Sequence, residues 1–463
     1  MEALQNTPHE MPKQQQKTGK SLYQTIWRWH FYAGIIFTPF LIILALSGAV
    51  YLFKPQIENT LYKDLYFVES KGEKLAVSKQ MDAVKQAYPS AVIAAVTVRD
   101  EANRTNKVSV LEKGKMFSVY VNPYTGKVVG ELQPEKEFMT IFKKLHSELI
   151  VGGTVANRLV ELAACWAVIL LATGLYIWWP RNKASIWGTV LPRLNKRGRT
   201  LWRDLHAVPA FWLTGGILLL IVTGLPWSGV MGEQINKLAT ATHTGYPTFS
   251  FGFGPKPESA TLTKDIAKDV PWATENLPVP ASQINGYVPL SVDDINKVAR
   301  AENIKAPYTL SMPQGPKGVY SITTSHTKPG DNATLHVDQY SGAVLSDVRY
   351  EDYGVMAKGI TLGIALHEGR LFGLANQLLG LVICLGLIGI CVSSFVMWRK
   401  RKPINKAGAP APIKDKRVRI GVMIIMLLCG LIMPLVGISI IAVLILDKLI
   451  ITNIKPLRNW LSA

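Results

Sequence analysis

The sequence predicts a membrane α-helical bundle with two extracytoplasmic α/β domains, made by internal duplication of a span–domain–span unit and followed by a C-terminal hydrophobic segment. Three observations predict it. Apolar runs at 31–53, 157–179, 207–231 and 373–398 each reach the ~20 residues that cross a bilayer core as helix. Two basic stretches abut these runs: 181–203 carries Arg181, Lys183, Arg193, Lys196, Arg197, Arg199 and Arg203 with no acid, and 399–419 carries nine basic residues against one acid, Asp415. The chain also repeats itself: "VYVNPYTGKVVGEL" returns as "LHVDQYSGAVLSDV", "WRWH" as "WRDLH", and "KLHSELIVGGTVANRLVEL" as "ALHEGRLFGLANQLLGL".

Composition agrees. Of 463 residues 48% are hydrophobic, which is high for a soluble enzyme. The formal net charge of +19 comes from 51 basic against 32 acidic residues. Its concentration beside apolar runs is the positive-inside pattern, which argues against nucleic acid as the partner. Cys165, Cys384, Cys391 and Cys429 all fall within apolar runs, so neither a disulfide framework nor a CxxC metal site is implied. The first run follows a polar, Lys-containing tail and is too long for a signal-peptide core, so it reads as a retained anchor.

In order, residues 1–29 read as a cytoplasmic tail, 30–53 as the first span and 54–145 as the first outer domain. Residues 146–180 form the second span, 181–203 a cytoplasmic loop and 204–231 the third span. The second outer domain covers 232–356, the fourth span 357–398 and a cytoplasmic loop 399–419. Residues 420–450 are a fifth span or a hairpin. The run 420–446 contains Pro434, and one kinked span is preferred because each half is short for a full crossing. In the outer domains "KQMDAVKQAYPSA" has helical spacing and "MFSVYVNPYTGKVVGEL" alternates like two strands around a turn. The second domain repeats that order, with "SVDDINKVARAENI" helical, "GVYSITTS" a strand and a hairpin around Tyr-Ser-Gly. Because each unit holds two spans, the copies point the same way, with an axis along the membrane normal.

Four of the eight histidines, His30, His146, His206 and His367, stand near the start of the first four spans. The repeat matches His30 with His206 on the cytoplasmic side and His146 with His367 on the outer side, which predicts two stacked pairs. Imidazoles on facing helices are what a bis-histidine haem takes as axial ligands. Gly34 and Ala210, four residues after His30 and His206, would leave room for a flat macrocycle on the same helix face. Arg28, Arg203 and Arg370 are close enough in sequence to meet haem propionates. A boundary histidine can instead snorkel to headgroups, and zinc or copper also accept imidazole. Two histidines are too few for a closed zinc site, however, and no carboxylate recurs at matched spacing. His146 is the weakest of the four, since Gly152-Gly153 can break the helix after it. His336 alternates along a strand and reads as a surface or core residue. The aromatics of "HTGYPTFSFGFGP" (243–255) are candidates for lining an outer pocket. No strand–GxGxxG–helix unit or Walker A motif is present, so no nicotinamide or flavin domain is expected and the electron donor is external.

These residues carry a resemblance. The order of spans, the two hairpins as PepSY-type elements, and the "WRWH", "KLH", "DLH" and "ALH" entries make the chain resemble the PepSY-associated transmembrane family over about residues 20–450. The resemblance implies extracytoplasmic PepSY-like domains in a bacterial inner membrane, with an N-terminus in the cytoplasm and large domains in the periplasm. Some members are di-haem ferric-siderophore reductases linked to iron uptake. Carried over, this implies two haem b ligated by His30, His206, His146 and His367. No residue is expected to do acid–base catalysis. The expected activity is passage of electrons from a cytoplasmic or quinol donor to a periplasmic ferric chelate, with membrane lipid as the other partner. The rival readings are a haem-free membrane protein that binds peptides or modulates a protease, and a metal transporter.

Overall fold

Along the chain, helices α1 (Lys13–Tyr51), α2 (Lys54–Leu61), α3 (Lys63–Tyr66) and α4 (Val77–Ala87) precede strands β1 (Val92–Val98), β2 (Asn106–Glu112), β3 (Lys115–Val121) and β4 (Val128–Leu132). Helices α5 (Phe138–Glu148), α6 (Gly153–Trp178), α7 (Arg199–Gly224), α8 (Val230–Ala241), α9 (Thr263–Ile266) and α10 (Val292–Ala301) follow. Strands β5 (Tyr308–Ser311), β6 (Val319–Thr324), β7 (Ala333–Asp338) and β8 (Val344–Arg349) come next. The chain ends with α11 (Val355–His367), α12 (Leu374–Arg401), α13 (Lys416–Ile432), α14 (Pro434–Leu446) and α15 (Lys455–Leu461). This computed structural model describes residues 13–181, 185–245, 261–282, 288–324, 328–404, 406–410 and 415–461. His9, His326 and most of the aromatic stretch 243–255 lie outside the described residues. Two compact units result: a helical unit of residues 1–49, 144–233 and 381–463, and a sheet unit of 50–143 and 234–380.

Among the described residues, five helical segments are long and apolar enough to cross a membrane: Leu22–Tyr51, Gly153–Trp178, Arg199–Trp227, Leu374–Arg401 and Pro434–Ile451. The protein is a multi-pass membrane protein with α/β insertions between spans. Small residues let its helices approach, since in lipid close packing replaces hydrophobic driving force. Ala33 and Ala45 on α1 and Ala163 and Ala167 on α6 are buried at these contacts. Leu41 of α1, Ala167 of α6 and Cys391 of α12 pack with Ile221 of α7 into an aliphatic plug to which four helices contribute. All four cysteines are free thiols.

The C-terminal hydrophobic segment is a helical hairpin, not the single kinked span preferred from sequence. Helix α13 ends at Met433, and Pro434 opens α14 in the first-turn position where its missing N–H costs nothing. Gly430 and Gly437 bring the two backbones together: a Cβ on Gly430 would lie 2.6 Å from the Gly437 Cα. Val422, Met426, Val436 and Ile440 from both arms bury against Ala33, Phe37 and Trp166, and the Trp166 indole donates to Ser439 Oγ at 3.0 Å. The returning end is tied down. Ala407 N donates to Trp460 O (2.7 Å), and Tyr32 Oη donates to Leu461 O (2.8 Å). The expectation failed because 17 residues of helix already rise about 26 Å, so a short arm nearly crosses.

The second and fourth spans start later than expected, at Gly153 and Leu374 rather than 146 and 357. His146 lies near the end of the separate helix α5 and His367 is the last residue of α11. The break after α5 uses left-handed backbone at Leu149 (φ 53°), Ile150 (φ 67°), Gly152 and Gly153. The repeat conserves its brace within the chain. Asn157 Nδ2 donates to Ser147 O (3.3 Å), and Asn376 Nδ2 donates to Leu366 O (3.0 Å).

In the sheet unit both insertions share one eight-stranded antiparallel sheet, ordered β4-β3-β2-β1-β5-β6-β7-β8. The expectation of two separate domains is refined to two half-sheets joined where β1 pairs with β5. At this joint Thr97 faces Thr309, and their hydroxyls are 3.0 Å apart. One sheet face is apolar: Val96, Val108, Val119, Leu310, Ile322 and Leu335 bury under α4 and α10 in a single core. Each such side chain contributes roughly 1.5–3 kcal/mol. The two β-hairpin turns match bond for bond. Asn122 Oδ1 accepts from Tyr124 N (2.9 Å), Asp338 Oδ1 accepts from Tyr340 N (2.9 Å), and Gly126 and Gly342 close the turns at φ 72° and 74°.

Candidate functional site

Within the helical unit, α1 and α7 bring His30 and His206 together. Their ring centres are 6.5 Å apart and their planes cross at 78°. Each imidazole spends its Nδ1 on the neighbouring span. His206 Nδ1 lies 2.9 Å from Ile390 O on α12. A carbonyl only accepts, so Nδ1 carries the proton and Nε2 the lone pair. His30 Nδ1 lies 2.9 Å from Thr173 Oγ1 on α6, with the Leu170 backbone as a further partner. The Thr173 hydroxyl already donates to Ile169 O (2.6 Å), so it accepts from His30, and the same tautomer follows.

His146 repeats this chemistry. Its Nδ1 lies 3.0 Å from Leu44 O and 3.1 Å from Ser47 Oγ, and Ser47 donates to Ile43 O at 2.7 Å. Room is cut beside both rings. A Cβ on Gly174 would stand 3.3 Å from His30 Cε1, and one on Gly48 would stand 3.3 Å from His146 Cε1. His367 terminates α11 in the other unit, where Gly369 turns the chain with φ 73°.

The start of α7 is anchored two residues before its histidine. Asp204 is fully buried and accepts from Arg193 Nε (2.7 Å), Nη2 (2.9 Å) and backbone N (3.1 Å). Arg203 adds Nη2 at 2.7 Å. Thus Arg203, one of three arginines expected to meet propionates, is held by a carboxylate. Arg28 donates to Pro410 O (2.5 Å) and stacks over Tyr32, while Arg370 pairs with Glu368. The structure therefore places all three arginines on protein groups.

The residues present fit a haem. Two imidazoles from different helices are the donor set that would hold a haem iron, which they would make a one-electron carrier. Here α1 and α7 bring two such rings to 6.5 Å between centres. Both histidines are only partly buried, and a Cβ on Gly34, one turn after His30, would meet no atom within 4 Å. Ala210 packs beside Ile390, the residue whose carbonyl orients His206. Among the described residues no group of three or more His, Cys, Asp or Glu is placed to hold a metal ion.

Sequence reasoning missed the Nδ1 acceptors. The sequence carries no specific signal for them: Ser47-Gly48 and Thr173-Gly174 set a hydroxyl before glycine, but so do Thr214-Gly215 and Thr223-Gly224 within an apolar run, and the His206 acceptor is a backbone carbonyl. No curated protein matches the chain. Residues 27–401, well over half of its length, match the family described as the PepSY-associated TM region, and the chain belongs to that PepSY_TM family.

Proposed function

We propose that this protein is a di-haem transmembrane oxidoreductase of a bacterial inner membrane, taking electrons from a cytoplasmic or quinol donor and reducing a periplasmic ferric chelate such as a siderophore. One observation carries the reading: His30 and His206 come together with ring centres 6.5 Å apart, each with Nδ1 committed and Nε2 bearing the lone pair. The second pair, His146 and His367, rests on the sequence repeat, with the tautomer of His146 in its support. Haem bound by such pairs supplies one-electron carriers within the lipid.

The chain's own residues do the rest. Thr173 and Ile390 hold the imidazole tautomers, Gly174 clears the ring, and the plug of Leu41, Ala167, Ile221 and Cys391 excludes water from the bundle interior. One electron converts ferric to ferrous iron, and hard oxygen ligands hold the ferrous ion less firmly. This chemistry needs no acid–base residue.

The test is a reduced-minus-oxidised spectrum of purified protein from haem-replete cells. The expected result is low-spin b-type bands and two haems per chain, with dithionite-reduced protein reoxidised by ferric chelates. Colourless protein overturns the reading.

A further inference from the structure

His30 and His206 differ in what orients them: a backbone carbonyl alone for His206, and for His30 a side-chain hydroxyl at 2.9 Å beside the Leu170 backbone. A carbonyl on a helix cannot be mutated away, but a hydroxyl can. We propose that Thr173 is a positioning residue that sets the orientation and electron-donating strength of His30, with Gly174 as the matching gap. This rests on the haem reading above.

Three features build the device. Thr173 Oγ1 donates to the carbonyl one turn back, Ile169 O, which fixes its free lone pairs toward His30 Nδ1 at 2.9 Å. The next residue has no side chain, and a methyl there would press on Cε1 at 3.3 Å. The same unit recurs at Ser47-Gly48 against His146, where Ser47 donates to Ile43 O and a Cβ on Gly48 meets Cε1 at the same 3.3 Å. Two independent copies of hydroxyl plus glycine, each serving a histidine, make incidental packing a poor account. An acceptor on Nδ1–H makes the imidazole a stronger donor at Nε2 and fixes the plane of its ring. A stronger donor favours the ferric state, so losing the acceptor raises the potential.

The experiment is potentiometric titration of the full-length protein, with haem counted per chain, for wild type, Thr173→Val and Thr173→Ser. Valine keeps the shape and removes the hydroxyl, while serine keeps the hydroxyl. The expected result is an upward shift of one of two midpoint potentials in T173V, the other unmoved, and wild-type values in T173S. Loss of one haem in T173V with both retained in T173S also supports the assignment, as a fall in affinity of about 10–100-fold. Unmoved potentials at full occupancy in T173V overturn it. So does an equal movement of both potentials, or a T173S variant as impaired as T173V, since packing would then be the cause. A wild-type protein without haem defeats the reading beneath it and this assignment together.

Discussion

His30 is partly buried and His336 wholly so, and they use their nitrogens differently. His336, on β7, is 2% exposed and occupies both nitrogens with hydroxyls: Nδ1 with Ser321 Oγ at 2.9 Å and Nε2 with Thr263 Oγ1 at 3.3 Å. Hydroxyls donate or accept as needed, so this ring is satisfied and has nothing left to offer. Among the described residues His30 and His206 engage only Nδ1. That spare nitrogen distinguishes a candidate ligand from a satisfied core residue.

The sharpest way to break that contrast is to delete one histidine of each kind. His206→Ala should lose about one of two haems, seen as a halved absorbance of the reduced protein, while His336→Gln should keep both. Equal haem loss in the two variants would erase the distinction.

Acid should separate the two kinds as well. Burial holds His336 down to about 4 from 6.5. Between those values the unfolded chain takes up a proton that the folded sheet refuses. Stability is therefore full above about pH 6.5, falls as pH drops, and stops falling below about 4, for a loss of about 3 kcal/mol. Melting of the sheet unit, followed by hydrogen exchange from pH 7 to 4, should show this slope, and His336→Gln should flatten it.

A smaller effect is expected at the anchor of the ligand helix. Asp204 is wholly buried, but its partners Arg193 and Arg203 keep side-chain exposures of 29% and 53% and can rehydrate. Asp204→Ala should cost about 1–3 kcal/mol in unfolding and loosen the His206 site more than the His146 site. The least effect belongs to Ser47→Ala. His146 Nδ1 keeps the Leu44 carbonyl at 3.0 Å, the shorter of its two contacts, whereas T173V takes the 2.9 Å hydroxyl from His30 and leaves the Leu170 backbone, so the potential shift should be smaller than T173V produces in the other couple.

Much of this was legible in the sequence. The apolar runs, the basic loops and the doubled "WRWH"/"WRDLH" entries placed His30 opposite His206, because two parallel copies put equivalent residues at equal depth. The Nδ1 acceptors were not legible as such, since Thr173 and Ile390 stand far along the chain from the rings they orient, and a hydroxyl inside an apolar run carries no mark of its partner. The joint between β1 and β5 was hidden for a related reason. Alternation marks which face of a strand is buried, not which neighbour lies at its edge. The break after His146 was visible as Gly152-Gly153, but Leu149 and Ile150 take left-handed backbone without any glycine to announce it.

The joined sheet has a consequence for how such a chain arises. With one copy of the unit, four strands would end at β1 with a whole row of peptide groups unpaired, a standing invitation to a second molecule. Two single-copy chains side by side, related by a twofold through the position of Val96, which pairs with its repeat equivalent Leu310, would complete the same eight strands. Fusing the copies turns that intermolecular seam into an intramolecular one and frees each half to acquire differences the other does not share, as the hydroxyl on one inner histidine and the carbonyl on the other already show.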